Sequence, residues 1–396
     1  MPLLAFCEFY ETLQYIHMQT RLALGLLLRQ RGIRPTIYEL RSKLTPQELA
    51  KPSGMLDLHD ESGLRVMREC GLWDSFQAAV GNCSEACRVL KPQSTVLHTD
   101  EGELASRPEI ARNALTKLLI ENLPSDFVND RDHALDLGAN GTATYDFVVG
   151  ADGAWSRVRK LLTDFKPYYS GAQLVTVTVK NSHLVELNGS GTLYALGGGN
   201  GMITYRGPQD SIRVYAAVSA PREHWAKAAA LEGKSAAEVK MTLLSDDKLF
   251  SKWASPLQDL LATACDEDTK DNPAALPTFT PSPLYMLPIG SRWELCTGAT
   301  LVGDAAHLMK PWAGEGVNRA LWDSLDMAHA LGGVLEAEDA AAPRIREHEE
   351  AMLLRAKEKA EETANMFLSE NGGQAMADMF KMFEDMAAAG RPPEGQ

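Results

Sequence analysis

Cysteine is scarce: six residues in a chain of 396. That is too few for a disulfide framework in a chain this long, which can bury a large core without staples. Cys83 and Cys87 form one C-x3-C, but no second Cys or His pair lies nearby, so they read as packed thiols rather than a zinc site. Neither H-E-x-x-H nor C-x-x-C occurs, and no G-x-S-x-G marks a hydrolase nucleophile. Gly233-Lys234-Ser235 resembles the end of a P-loop, yet Ala228 stands in its first glycine slot, so the ATP-binding motif fails. Nowhere does an apolar run approach the roughly 18 residues of a membrane span. Glu8, Glu11, His17 and Arg21 interrupt the amino-terminal segment, which also lacks the basic start of a secretory signal. The expectation is a cytoplasmic protein with no stable membrane insertion. Basic residues are the minority, 39 Lys+Arg against 53 Asp+Glu for a net charge of −14, so nucleic acid is a poor candidate partner.

Hydrophobic residues make up 45% and charged residues 23%, which describes an ordinary globular chain with a length prior of two to three domains. Residues 21–31 (RLALGLLLRQR) predict a helix ending at Gly32, and residues 33–39 (IRPTIYE) a short strand. Helix followed by strand is the second half of a βαβ unit. A helix opening near Asp60 places Leu64, Met67 and Leu72 on its apolar side, and residues 88–104 read as strands. Ser106-Arg107-Pro108-Glu109 has the form of a capping box. Residues 170–220 are strand-rich and predict an antiparallel sheet, with Gly197–Gly201 as a hairpin turn or a close approach to something bound. Helical patterning returns over 222–264, and again over 344–370 as a charged amphipathic helix before a Met/Phe-rich tail. The fold class is α/β: a discontinuous Rossmann-like nucleotide domain (1–75, 103–165, 285–335), an antiparallel-sheet substrate domain (76–102, 166–284), and C-terminal helices and tail (336–396).

Three segments carry chemistry. In residues 301–318, LVGDAAHLMKPWAGEGVN, a buried strand delivers Asp304 at its carboxyl end, where open α/β sheets bind ligands and where a carboxylate can accept from sugar-like hydroxyls. The stiff Pro311–Gly316 loop lets backbone approach a flat ring. Val317 and Asn318 then open a helix whose free N–H groups and dipole favour developing negative charge. In residues 146–161, DFVVGADGAWSRVRKL, Asp152 sits at a strand-to-helix turn that Ser156 can cap; Arg157 and Arg159 could hold phosphates or lie on a solvated face. Glu39, at the end of its strand, stands where an acid hydrogen-bonds ribose hydroxyls. Each has an ordinary structural alternative: an Asp cap, a solvated basic face, a surface Glu.

Taken in order, these segments together with SGMLDLHDESGLRVMRECGLWD, RPEIARNALTKLL and YMLPIGSRWE resemble the FAD-dependent aromatic hydroxylase-type (group A) monooxygenases over residues 21–370. Within them, the motifs look most like the branch that includes the tetracycline-inactivating monooxygenases. The resemblance implies FAD and NADPH as cofactors, and O2 and a small aromatic or polyketide-like molecule as reactants. It implies hydroxylation through a flavin C4a-hydroperoxide, with no catalytic triad and no metal. It assigns Glu39 to the adenosine ribose, Asp57 to the flavin surroundings, and Arg112 to the cofactor. Asp304 falls to the ribityl or pyrophosphate region, and Gly314, Gly316, Val317 and Asn318 to the ring edge. Asp152 is tied to FAD and NADPH handling, and Arg213, Pro311 and Trp312 to the substrate.

The sequence departs from that family at its start. Its G-x-G-x-x-G slots fall on Ile16 to Arg21, and Ile16, Met18 and Arg21 replace all three glycines that let backbone approach the pyrophosphate. Residues 1–20 read as helix rather than as a first strand. Either the first exon is altered, which the retention of the other motifs favours, or tight FAD binding has been lost; both imply weak FAD retention, relieved in part if Arg21 meets the phosphates. The competing reading is a non-catalytic or FAD-poor relative that binds a small molecule or partner. Lys310, as an exposed cation, and the large ring of Trp312 should re-aim the cavity, so tetracycline is not expected as the substrate.

Overall fold

The computed structural model describes residues 4–7, 16–38, 44–51, 53–80, 86–102, 108–123, 128–129, 145, 147–180, 188–189, 191–207, 211–271, 281–296, 298–336, 341–364 and 367–388. A parallel sheet runs in the order Ala299–Leu301 (β14), Phe147–Gly150 (β8), Leu4–Cys7 (β1), Pro35–Tyr38 (β2) and Val128–Asn129 (β7). The second sheet runs Ser282–Met286 (β13), Tyr168–Val179 (β9), Ser211–Ser219 (β12), Asn200–Gly207 (β11), Thr192–Gly197 (β10), Cys87–Leu90 (β4) and Val96–Asp100 (β5), and is antiparallel except at the β10–β4 pair. Met55–Asp57 (β3) and Glu109–Ala111 (β6) form a two-stranded ribbon between them in sequence.

The first strand corrects the expectation of helix over residues 1–20 at residues 4–7, while residues 16–20 are helical as expected. Leu4–Cys7 lies in the middle of the parallel sheet, between β2 and β8. The short apolar stretch LAFC was outweighed in the sequence by the polar run after it. Its place is decided by partners more than 30 and 140 residues away, which local patterning does not see. Helix α1 follows at Ile16–Gln30, so the six fingerprint slots lie inside a helix. Gly32, at φ +74, closes it as expected, with its N–H donating to the Arg29 carbonyl.

Leu24, Leu27 and Leu28 of α1 are fully buried. Each contributes at most about 1.5–3 kcal/mol of transfer free energy. Arg112–Asn122 (α2) packs on α1, and Gln19 Nε2 donates to Thr116 Oγ1 at 2.5 Å. On the far face of the large sheet lie Ala236–Ser245 (α3) and Ser255–Asp271 (α4), which bury the alternate residues Val175, Val177, Met202, Val214 and Ala216. Gly198 and Gly199, both at positive φ, make the β10–β11 hairpin turn.

The long helix Gly316–Glu336 (α5) lies against α1, then Ala341–Ala364 (α6) against α5. Gly372–Ala388 (α7) crosses β4, β5 and β10. The free thiols of Cys70, Cys87 and Cys265 are buried and pushed up to about 12 by that burial, which makes them inert packing groups. Cys83 and the Ser106–Arg107 part of the capping-box pattern lie outside the described residues. Among the described residues, no helix is long and apolar enough to cross a membrane.

Candidate active site

The turn after β14, the starts of α1 and of the helix at Gly316, and one face of the antiparallel sheet line a cavity of about 500 Å³. Strand periodicity explains the sheet side, because alternate residues share a face. Thr176 of β9 pairs with Tyr215 of β12, which pairs with Ile203 of β11; Thr178, Arg213 and Tyr205 form the next row. Of these, Thr176, Ile203, Tyr205, Arg213 and Tyr215 line the cavity. Arg213 Nε donates to the Tyr215 hydroxyl at 2.9 Å and its Nη1 to Thr178 Oγ1 at 3.1 Å. Its partners there are neutral, so its charge stays available to a polar ligand. Burial raises the Tyr205 phenol well above its usual value, which keeps it a neutral hydroxyl.

The opposite wall comes from the turn and helix of residues 303–318. Gly303 sits at φ +60 and ψ −143, and an added Cβ would come within 3.2 Å of the Ala320 methyl. It turns the chain so that Asp304, 6% exposed, faces the cavity. Pro311–Ala313 forms a single 3-10 turn closed by Gly314 at φ +69, where any side chain would be strained. Gly316 and Val317 also line the cavity. As the first residues of a 21-residue helix, their N–H groups lack intrahelical acceptors and point toward its positive end. Trp312 is fixed from behind by Phe367, stacked at 4.8 Å between centroids and 6° between planes.

Asp57, Arg112, Arg213, Asp304, Pro311, Trp312, Gly314, Gly316 and Val317 therefore meet at one cavity. Asn318 and Asp152 do not line it. Asn318, 1% exposed, holds the wall together: its Oδ1 accepts from His59 N at 3.0 Å and Ser62 Oγ at 3.2 Å, and its Nδ2 donates to the Asp57 carbonyl at 2.9 Å. Asp152, 2% exposed, caps its own turn, accepting from Arg157 N at 2.6 Å, Val158 N at 3.2 Å and Ser156 Oγ. Ser156 Oγ in turn accepts from Arg159 N at 2.8 Å, as its expected capping role requires. Glu39 lies outside the described residues.

Two expectations for cationic side chains are corrected. Arg159 lies neither on a solvated face nor at a phosphate site. It is buried and donates to the carbonyls of Ala305, at 2.8 Å, and Ala154, which ties the Asp152 turn to the Asp304 turn. Lys310 is not an exposed cation; it is half-buried and donates to the Ala364 carbonyl at 3.1 Å, near the negative end of α6. Burial lowers its ammonium below the usual value. The cavity residues overlooked in the sequence, Tyr205, Tyr215, Thr176 and Ile203, follow period two from Arg213 once the strand register is known.

His59 ties Asp57 to the helix start. Its Nε2 lies 3.1 Å from Asp57 Oδ2, and its Nδ1 lies 3.6 Å from Glu61 and 3.8 Å from Glu315. Burial pulls the ring toward neutrality, but hydrogen bonds to Asp57 and Glu61 and the charges of Asp57 and Glu315 outweigh it and raise the imidazole to about 9. Among the described residues no cluster of three His, Cys, Asp or Glu could hold a metal ion.

The cavity suits a flavin: glycine backbone at Gly314 and Gly316, a helix amino end, and the buried carboxylate of Asp304. At the phosphate end the fit differs from a glycine cradle. Arg21 is 1% exposed and is not among the residues that line the cavity. Met18 and Gln19 face the cavity in its place.

Residues 298–362 match the model of the FAD binding domain family. Monooxygenase asqM of Emericella nidulans is 32% identical over 75% of this chain and 77% of its own length. Monooxygenase penA of Penicillium thymicola is 29% identical over 87% of this chain and 92% of its own. Among solved structures, Klebsiella pneumoniae HpxO complexed with FAD and uric acid superposes with a TM-score of 0.71 at 16% identity, covering 97% of this chain and 93% of that one. The tetracycline destructase Tet(55) superposes with a TM-score of 0.67 at 17% identity, covering 100% and 98%. With a relative of this identity and coverage, the chain belongs to the FAD-dependent monooxygenases.

Proposed function

We propose that this enzyme uses FAD and NAD(P)H to hydroxylate a small aromatic or polyketide-like molecule bound against the face of the antiparallel sheet. The observation that carries this reading is a single cavity with two unlike walls. One is a helix amino end with glycines and Asp304, suited to a flavin; the other is a row of Tyr205, Tyr215 and Arg213, suited to an oxygen-bearing ring. When bound, flavin reduced by NAD(P)H supplies the activation of O2, one atom of which enters the substrate while the other leaves as water.

The protein's share is position, dryness and charge. Asp304 and Arg112 hold the cofactor, and Gly314, Gly316 and Val317 let the ring lie against backbone. The amino end of α5 favours negative charge there. Arg213 and the Tyr215 hydroxyl orient a carbonyl, enol or phenol oxygen of the substrate, while Trp312 and Pro311 close over it. Because Ile16, Met18 and Arg21 fill the fingerprint slots, FAD is held chiefly from its ring and ribityl side and more weakly than in a glycine-cradled relative.

The test is FAD titration of the full chain by fluorescence quenching, with Asp304→Ala beside it. The variant should bind at least about tenfold more weakly, as expected for loss of a charged hydrogen-bond acceptor, with its far-UV circular dichroism retained. Unchanged affinity would remove the flavin from this cavity. Labelled O2 then tests the reaction on a panel of phenols and cyclic enols: one labelled atom in the product supports hydroxylation, and none across the panel counts against this substrate class.

A further inference from the structure

The turn that presents Asp304 is pinned at both ends by one carboxylate oxygen. Asp323 stands two turns into α5 and is 1% exposed. Its Oδ2 accepts from the Gly303 N–H at 3.0 Å, where the backbone takes a conformation nearly confined to glycine, and from His307 Nε2 at 2.6 Å. Between these two residues lies the single helical turn Asp304–His307, closed by Ala306 N and His307 N donating to the Gly303 carbonyl at 2.8 and 2.9 Å. Arg159 holds the opposite side through the Ala305 carbonyl. The other oxygen of Asp323 lies 3.6 Å from Arg355 of α6, a guanidinium that also packs over Trp322 and pairs with Asp326 at 2.9 Å.

We infer that Asp323, with His307, is the positioning residue that fixes Asp304 relative to the amino end of α5, and so sets FAD affinity without touching the cofactor. Neither Asp323 nor His307 lines the cavity. The same helix supplies Gly316 and Val317 to one wall and Asp323 to the turn behind the other contact. One rigid element thus sets the spacing of the two groups that must grip the same ligand. The inference rests on the FAD site proposed above.

The experiment compares full-length wild type, Asp323→Asn, His307→Gln, Asp326→Asn and Asp304→Ala. Each is titrated with FAD well below its unfolding temperature, with visible circular dichroism of the bound flavin and urea unfolding of the apoprotein. Asp323→Asn keeps the size but puts an amide donor or a weaker acceptor where two donors converge. It should raise the FAD Kd by about tenfold or more and change the visible dichroism at saturation. His307→Gln, which retains a donor, should raise the Kd by about threefold and supplies the reading if the first variant does not fold. Asp326→Asn removes a partner of the same Arg355 but does not touch the turn, so its Kd should stay within about twofold whatever its stability. Wild-type affinity and dichroism in Asp323→Asn (or in His307→Gln where that variant supplies the reading), or an equal loss in Asp326→Asn, overturns the inference. Wild-type affinity in Asp304→Ala overturns the site assignment itself, and is read independently of the other variants.

Discussion

Replacing His59 by Gln should flatten the alkaline side of the stability profile. The His59 ring is 7% exposed and lies among Asp57, Glu61 and Glu315, with Glu315 itself shared by Arg319 at 3.3 Å and Lys359 at 3.8 Å. Its imidazole titrates near 9 in the folded protein against 6.5 when free. Folding therefore takes up a proton between those values. The linked stabilisation is complete below pH 6.5 and is lost as pH rises through 9. At about 1.4 kcal/mol per pH unit that interval caps the contribution near 3 kcal/mol. Asp57 and Glu61 are each 35% exposed, so water screens their share and roughly 1–3 kcal/mol is expected. Urea unfolding at about pH 6 and about pH 9.5 measures it, provided both proteins unfold in two states. Wild type should lose roughly 1–3 kcal/mol more than His59→Gln across this range. Equal losses in the two proteins would refute the charged, acid-held ring.

On the acid side, His348 should act with the opposite sign. It is 5% exposed, neither ring nitrogen has a hydrogen-bond partner among the described residues, and burial, with the charges of Arg355 and His307, lowers it to about 4 despite Asp323. The unfolded chain takes up this proton first, so stability falls between pH 6.5 and 4 by at most about 3 kcal/mol, and His348→Leu should remove that part in the same urea assay. Gly303→Ala should cost about 1–3 kcal/mol, because φ +60 with ψ −143 excludes a Cβ and Ala320 crowds it at 3.2 Å. Thermal unfolding checks this; a melting temperature equal to wild type would show that the turn relaxes freely.

The motifs near the carboxyl half were readable because their chemistry is local. Gly303-Asp304 and Gly314–Val317 belong to one continuous strand–turn–helix, so the residues that share a wall are close in sequence. Ser156 as a cap and Gly32 as a helix end are likewise decided within a few residues. The place of Arg159 is hidden from the sequence for the converse reason. Its charge and spacing suit a surface, and only the packing of two turns, 145 residues apart, shows that its guanidinium is consumed by buried carbonyls. The three acids around His59 are equally invisible in a sequence, because Glu315 arrives there from another element.

Local chemistry was enough to name the α/β class and, as residues of one cavity, Gly314, Gly316 and Asp304, since backbone conformation and strand-end position depend on neighbours along the chain. Pairing and burial settled the rest. Leu4–Cys7 became a central strand because two distant strands flank it. Tyr205, Tyr215 and Arg213 became one wall because strand register brings them into line. Asp323 became the anchor of the Asp304 turn because α5 folds back upon it. In each case the interaction free energy lies between groups far apart in the chain, and no pattern within one segment encodes which partner it will meet.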